Sequence, residues 1–336
     1  MLLGVIVCWG YWFGSQKLAY VPRLRIGLNA YSGSEYMIVA KKLHLFRKHG
    51  LRVQLVEFGS LGDVQQAFEW GQIDAMVCNL IDVMVVLQKN KSIKAQIVFI
   101  PSYPKPQRSY QLLVQPSIHT IQDLKGQKVG VEINSMGGFV LQRAMRSGFC
   151  TFKDIELYPV DPTAYCNFVT KKQLAAVVAY PPYSEALLEP PLNLHCLYST
   201  EDWPKEMKLN VLLIRNSALE KFHKDLKNFV AAWDNILNEI KQNWDKSLRF
   251  LARHCALPLP EADRILSAIE PLSLEDQVRL FNRHKYLIYV VNIISAELLK
   301  NNNLYSDANA LTFSTLFNPV LFQQFLKVPN EKVFSF

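Results

Sequence analysis

Short apolar segments alternate with amphipathic ones along the first third of this chain, and this alternation constrains the fold more than any other feature. Strands are predicted at 24–28, 51–58, 73–77 and 95–100. Between the first two, Ser34 can cap a helix that runs to about His49, and Gly50 ends it. Parallel strands need such long connections, so the pattern predicts a parallel sheet covered by helices.

The same alternation returns after a proline-rich interruption at 101–106, "PSYPKP". The further predicted strands lie at 110–114, 128–132, 155–159, 175–179, 194–198 and 211–214. The chain therefore builds one α/β block, crosses to a second block and returns. We predict two lobes, with lobe 1 formed by 21–104 and 206–336 and lobe 2 formed by 105–205.

The chain becomes helical after Ser217. Apolar residues recur there at spacings of three and four, namely Leu219, Phe222, Leu226, Phe229, Trp233, Ile236 and Ile240. This pattern predicts a C-terminal helical segment that packs on lobe 1. Open α/β sheets bind ligands outside the carboxyl ends of their strands, so we expect a ligand to lie between the lobes.

Composition and motifs argue against several classes of protein. There are 37 Lys and Arg against 29 Asp and Glu, but the densest basic cluster, at 89–94, contains no aromatic residue, so no nucleic-acid partner is expected. The six cysteines form no Cys-x-x-Cys pair, and the phosphate-loop, nucleophile-elbow and zinc-protease motifs do not occur. We predict a protein without enzymatic activity, bound metal or cofactor.

Residues 1–20 open with an uncharged apolar run, "MLLGVIVCWGYWFGSQ". The run is too short for a confident membrane-spanning helix and fits the apolar part of a secretory signal better. No Lys or Arg precedes it, and no clear cleavage site follows it. We predict an export signal or membrane anchor at 1–20, with a buried first strand as the alternative.

Two stretches resemble the periplasmic solute-binding proteins of the nitrate, sulfonate, taurine and thiamine-precursor importers. The first runs from "RIGLNAYSGSEY" at 25–36 through "LFRKHGLRVQLVEF" at 45–58 to "GQIDAM" at 71–76. The second is "IQDLKGQKVGVEINSMGG" at 121–138. The resemblance covers roughly residues 22–215. It implies an α/β protein with the two-lobe, type II periplasmic-binding-protein fold.

The resemblance also implies a function. A protein of this family is the substrate-binding component of an ABC importer, captures a small solute between its lobes by hinge closure, and delivers it to a membrane permease. The solute would be a sulfonate, nitrate, carboxylate or pyrimidine-type molecule, and the protein a periplasmic monomer. Two alternatives stay open: an enzyme on the same fold, similar to those of the menaquinone pathway, and a ligand sensor for a membrane signalling partner.

The chain departs from the family pattern at two places near the expected cleft. The counterpart of "GQIDA" in lobe 2 reads "KQLAA" at 172–176. The usual acidic residue with proline after the next strand is replaced by "AYPPY" at 179–183. These changes leave open a different ligand or a lost transport role.

Candidate ligand-binding residues follow the predicted strands of both lobes. In lobe 1 they are Asn29, Tyr31, Ser32, Gly33, Ser60, Asn79 and Asp82, which offer short polar groups that can hydrogen-bond a ligand without filling the space. Turn chemistry is the alternative for the first four, and helix capping is the alternative for Asp82.

In lobe 2 the candidates are Ser135, Met136 and Gly137, where free amides at a helix N-terminus attract anions, and Tyr180 and Tyr183, whose rings could stack on a planar ligand. A glycine-rich turn is the alternative for the first three, and rim packing between the lobes is the alternative for the two tyrosines. No Arg or Lys occupies the matched positions, which favours a ligand that is not a dianion.

Overall fold

The computed structural model describes residues 23–29, 33–106, 109–181, 183–282, 285–299 and 311–325. The predicted segment at 1–20 and the candidates Tyr31 and Ser32 lie outside these ranges. In chain order the strands are β1 (Leu24–Asn29), β2 (Val53–Phe58), β3 (Ala75–Asn79), β4 (Ala95–Pro104), β5 (Gln111–Val114), β6 (Lys128–Val131), β7 (Glu156–Pro159), β8 (Ala176–Ala179), β9 (His195–Ser199), β10 (Asn210–Arg215) and β11 (Ile269–Pro271).

The helices cover both sheets and form most of the C-terminal third. They are α1 (Glu35–Lys42), α2 (Leu45–Lys48), α3 (Leu61–Glu69), α4 (Leu80–Lys89), α5 (Met136–Ser147), α6 (Tyr165–Thr170), α7 (Glu185–Leu188), α8 (Asn216–Lys221), α9 (His223–Gln242), α10 (Trp244–Cys255), α11 (Leu259–Ser267), α12 (Leu274–Phe281), α13 (Lys285–Leu299) and α14 (Phe313–Leu316). Across the described ranges, no helix is both long enough and apolar enough to cross a membrane.

The strands form two separate sheets, which confirms the predicted two-lobe α/β fold. The first has the order β11-β4-β10-β3-β1-β2 and the second has the order β7-β6-β8-β5-β9. We use lobe 1 for the part of the chain built on the first sheet and lobe 2 for the part built on the second. The exact boundaries at 104/105 and 205/206 stay a prediction.

Each sheet contains three parallel strands, and the one that comes first in the chain lies between the other two. The strand order therefore reverses at this first strand. In lobe 1, β1 pairs in parallel with β2 on one side and with β3 on the other. In lobe 2, β6 is flanked in the same way by β7 and β8. A crevice opens at the carboxyl ends of the strands wherever the order reverses. Each lobe therefore has one such crevice.

Two crossings join the lobes, one between β4 and β5 and one between β9 and β10. The strands on either side of them also pair with each other, since β10 is antiparallel to β4 and β9 is antiparallel to β5. The crossings themselves are bonded: the Thr200 amide donates to the Tyr110 carbonyl at 3.0 Å, and the Tyr110 amide donates to the Thr200 hydroxyl at 2.9 Å. The connection between the lobes is a paired ribbon.

The C-terminal helices pack on lobe 1, as predicted. Trp233 of α9 is fully buried, and its ring meets Phe99 of β4 edge-on with centroids 5.0 Å apart. Its indole N–H donates to the Leu272 carbonyl at 2.8 Å, which satisfies the ring's polar edge inside the core. The amphipathic pattern read from the sequence marks the buried face of α9.

One predicted helix is divided in the structure. The helix expected at 34–49 breaks at His44, whose φ of 61° is left-handed, and becomes α1 and α2. The apolar spacing continues across this break, which is why the sequence pattern did not reveal it.

Candidate functional site

The crevices of the two lobes face each other and enclose one cleft of about 620 Å³, counted out to its open mouth. Asn29 at the end of β1 and Asn79 at the end of β3 come from lobe 1, where the strand order reverses. Met136 after β6 and Tyr180 after β8 come from the same place in lobe 2.

The lining combines predicted residues with others that the sequence did not indicate. The predicted members are Asn29, Gly33, Asn79, Asp82, Met136 and Tyr180. The additional members are Leu61, Cys78, Pro104, Tyr110, Thr200, Lys208, Asn210 and Ile269. Most of the additional members lie on or beside the two crossings, far in sequence from the family motifs.

Asn29 presents an unsatisfied acceptor. Its side chain is 6% exposed and lines the cleft, yet its Oδ1 has no hydrogen-bond partner among the described residues. Leaving a buried acceptor unpaired costs about 1–3 kcal/mol. A donor group on a bound molecule would recover this cost.

Asp82 has two roles. Its Oδ2 accepts the Asn79 amide at 3.1 Å, and the Asn79 Oδ1 accepts the Ile81 amide at 2.9 Å, so the pair caps α4. Its Oδ1 accepts the Met136 amide of lobe 2 at 2.6 Å. Burial raises the pKa of Asp82 to about 7, although these two amide hydrogen bonds act in the opposite direction. One carboxyl group thus caps α4 through Oδ2 and joins lobe 1 to lobe 2 through Oδ1.

The helix N-terminus of α5 was predicted to bind an anion through free amides. Its Met136 amide donates to Asp82, and its Gly137 amide donates to the Ser135 hydroxyl at 2.9 Å. Ser135 in turn donates to the Glu132 carbonyl at 2.6 Å. Two of the amides that an anion would need are therefore engaged by groups of the protein itself.

Gly33 lies against the side chain of Asn210, the first residue of β10. Its φ is +79°, and a Cβ at this position would overlap the amide group of Asn210. The Gly33 carbonyl accepts the Ser102 hydroxyl at 2.9 Å, and that hydroxyl oxygen accepts the Asn210 Nδ2 at 3.0 Å. Only glycine fits both the left-handed backbone and the close approach.

Three tyrosines form an aromatic wall on the lobe 2 side. The ring centroids of Tyr110 and Tyr180 are 4.6 Å apart, and those of Tyr180 and Tyr183 are 5.4 Å apart and perpendicular. Burial is the main cause of the raised pKa of Tyr180, and Tyr110 and Glu132 add to it. Tyr183 supports the wall from behind and is outside the lining.

Glu132 lies close enough to this wall for its charge to raise the pKa values of Tyr180 and Tyr183. Its Oε2 is buried without a hydrogen-bond partner in the part of the chain that the structure describes. Burial raises its pKa to about 8, and the negative charges of Asp82 and Asp161 contribute. Two carboxyl groups, one from each lobe, thus lie close enough to interact, and burial disfavours the charged form of each.

Lys208 and Thr200 were missed because they lie on the return crossing. Lys208 is 4% exposed, and its Nζ donates to the carbonyls of Thr200 at 3.3 Å and Glu201 at 3.2 Å. Desolvation lowers its pKa, while the carboxylates of Asp202 and Glu201 oppose that shift. A lysine therefore does line the cleft, although no Arg or Lys occupies the positions that match the family motifs.

Ser60 does not line the cleft. Its hydroxyl turns back to accept the Asp63 amide at 3.1 Å and caps α3, while the next residue, Leu61, lines the cleft. Asp74 of the "GQIDA" motif is also structural, because its Oδ1 binds the Arg25 guanidinium at 2.8 Å and its Oδ2 accepts the Arg25 amide at 2.9 Å.

Two α/β lobes with a cleft at their facing switch points define the class of two-lobe periplasmic-type binding folds. A family model described as NMT1/THI5 like matches residues 33–245, which is more than half of the chain. The chain belongs to the NMT1/THI5-like family.

Relatives and solved structures agree with this assignment. A protein of Brucella abortus that is named as a candidate binding protein is 23% identical to this chain over 269 residues. The match covers 79% of this chain and 82% of that protein. The alkanesulfonate-binding protein SsuA of Xanthomonas axonopodis pv. citri matches with a TM-score of 0.66 and 17% identity, over 88% of this chain and 98% of that one. The aliphatic sulphonate binding protein SsuA of Escherichia coli matches with a TM-score of 0.66 and 23% identity, over 90% and 100%.

The same fold also occurs in an enzyme. The desulfurization enzyme DSZB matches with a TM-score of 0.60 and 11% identity, over 89% of this chain and 97% of that one. At these identities the structural matches show the fold alone.

Proposed function

We propose that this protein captures a small solute between its two lobes and delivers it to an ABC permease, acting as a monomer in the periplasm. The observation that carries the proposal is the buried Oδ1 of Asn29, a residue that lines the cleft at the switch point of lobe 1: this atom has no hydrogen-bond partner among the described residues. A ligand that donates a hydrogen bond to this buried acceptor would recover the free energy lost by leaving it unpaired.

The paired crossings support hinge closure. The ribbon at Tyr110 and Thr200 joins the lobes beside the cleft, while Asp82 and Gln65 of lobe 1 reach lobe 2 at Met136 and Asn134. Hydrogen bonds that form only when the lobes meet stabilise the closed form, and a ligand that contacts both lobes adds to them. The closed form would be the one recognised by the permease.

The enzyme alternative is less well supported by the cleft. Cys78 is the one cysteine among the described lining residues, but it is 1% exposed, and burial together with Asp82 raises the pKa of its thiol well above the usual range. The nucleophilic form of cysteine is the thiolate, which this environment disfavours.

A thermal-shift screen of the full chain tests the proposal. The panel should hold organic cations, neutral heterocycles, carboxylates, sulfonates and nitrate. We expect at least one solute to raise the melting temperature, and we expect Asn29→Ala to weaken its binding about tenfold, the equivalent of about 1.4 kcal/mol. Asn238→Ala, at an exposed position of α9, is the matched control. A folded protein that responds to no member of the panel would contradict the proposal.

A further inference from the structure

We propose that the cleft selects an organic cation that carries N–H groups, such as a protonated amine or an amidinium, over an anion. This inference rests on the proposed function, since it names the class of solute that the same cleft would take.

The first support is the polarity of the groups that lack a partner. Asn29 Oδ1 in lobe 1 and Glu132 Oε2 in lobe 2 are both buried acceptors without a hydrogen-bond donor among the described residues. Asn29 lines the cleft directly, and Glu132 is close enough to Tyr180 to raise the pKa of that ring. Asn29 Oδ1 calls for a donor, and so does Glu132 once it has lost its proton, which a nearby cation favours; an amine or amidinium supplies several donors from one small group.

The second support is the sign of the charge around the cleft. Asp82 lines it, and Glu132 is near enough for the two carboxyl groups to repel each other when both are charged. Their pKa values are raised to about 7 and about 8. A cation between the lobes would offset this repulsion, whereas an anion would increase it.

The third support is the aromatic wall. The rings of Tyr110 and Tyr180 lie within 4.6 Å of each other at the lining, and Tyr183 meets Tyr180 edge-on. The face of an aromatic ring attracts a cation electrostatically, and the attraction grows when both are shielded from water. Tyrosine rings next to carboxyl groups form a recognised combination for organic cations.

The groups that would favour an anion are already engaged. The amides of Met136 and Gly137 have acceptors in Asp82 and Ser135. The Lys208 ammonium donates to two backbone carbonyls, and the carboxylates of Glu201 and Asp202 act on it from the same crossing. An anion would have to displace these partners, whereas a cation would not.

A matched set of probes tests the inference. Benzamidinium, benzamide and benzoate have nearly the same shape and differ in charge, and their binding to the full-length protein can be measured by isothermal titration calorimetry near neutral pH. We expect benzamidinium to bind at least about tenfold more tightly than benzoate. Preference for benzoate, equal affinity, or no binding of benzamidinium would overturn the inference.

A charge-changing variant gives an independent readout. Asn29→Asp keeps the acceptor and adds a negative charge, so it should strengthen benzamidinium binding by about threefold or more and weaken benzoate binding. Asn238→Asp makes the same change on an exposed part of α9 and should alter neither affinity. Weaker benzamidinium binding by a folded Asn29→Asp protein would contradict the inference.

The two failures are distinguishable. If the solutes that bind in the wider screen are sulfonates or carboxylates, the inference falls and the solute-binding function stands. If no solute of any charge binds, the proposed function falls as well.

Discussion

At the scale of single residues, the cleft depends on side chains whose roles are fixed by close neighbours. Asn29 and Asn79 end adjacent parallel strands, so their placement could be predicted from strand order along the chain. Ser60 also follows a strand, but β2 lies at the outer edge of the sheet, and its hydroxyl caps α3 instead. Capping and ligand binding use the same residue types, so residue type alone does not separate them.

Gly33 offers a test at this scale. Gly33→Ala would strain a backbone with φ of +79° and also push a methyl group into the Asn210 amide. Gly126→Ala is the matched control, because its φ is +71° but nothing among the described residues lies within 4 Å of the added Cβ. We expect the control to lose about 1–2 kcal/mol of stability in urea unfolding, and Gly33→Ala to lose at least about 1 kcal/mol more. Equal losses would show that the contact with Asn210 is unimportant.

At the scale of elements, the crossings carry more of the site than the sequence motifs do. Tyr110, Thr200, Lys208 and Asn210 all line the cleft from these segments. No local pattern marks them, because they meet only when β5 pairs with β9 and β10 pairs with β4. The motifs predicted the parallel strands and their helices, while the antiparallel strands brought in the residues that were missed.

Thr200→Val tests the bond between the crossings. The change preserves shape but removes the hydroxyl that accepts the Tyr110 amide, and Thr200 is fully buried. We expect a loss of about 1–3 kcal/mol in the free energy of unfolding, because a buried donor is left unpaired. Thr170→Val, which removes an exposed hydroxyl on α6, should change stability by less than about 0.5 kcal/mol. A similar small effect at Thr200 would contradict the paired-ribbon description.

At the scale of the whole molecule, contacts between lobes and tail hold the cleft together. Arg264 of α11 pairs with Glu185 of lobe 2 at 2.9 Å, and Arg143 of α5 pairs with Glu297 of α13 at 3.5 Å. These ion pairs join the C-terminal helices to lobe 2. They are partly exposed, so each contributes modestly to stability.

Stability should also depend on pH through the buried carboxyl groups of Asp82 and Glu132. The pKa values of Asp82 and Glu132 rise from 3.8 and 4.5 to about 7 and about 8. The stability that these two groups contribute is fully present when the pH is below their ordinary pKa values. It is lost as the pH rises through their raised pKa values in the folded protein. The free energy of unfolding should therefore fall between about pH 4 and pH 8 on this account.

Glu132→Gln isolates one of these groups. Asp161, Tyr165, Tyr180 and Tyr183 also face it and remain unchanged in the variant. We expect the variant to reduce the loss of stability between about pH 5 and pH 8, measured by urea unfolding, by at least about 1.4 kcal/mol, the value of one pKa unit. Glu156→Gln, on the exposed face of β7, should follow the wild-type profile. A wild-type profile for Glu132→Gln would show that this carboxyl group does not govern the pH dependence.

The position of β10 has a consequence for the order in which the protein is made. This strand fills the place between β3 and β4, yet it follows all of lobe 2 in the chain. During synthesis, β5 through β9 can complete their sheet while the first sheet still has two unpaired apolar strand edges. Lobe 2 is therefore free to fold first as the chain emerges, and the first sheet can be completed only after Arg215 has left the ribosome.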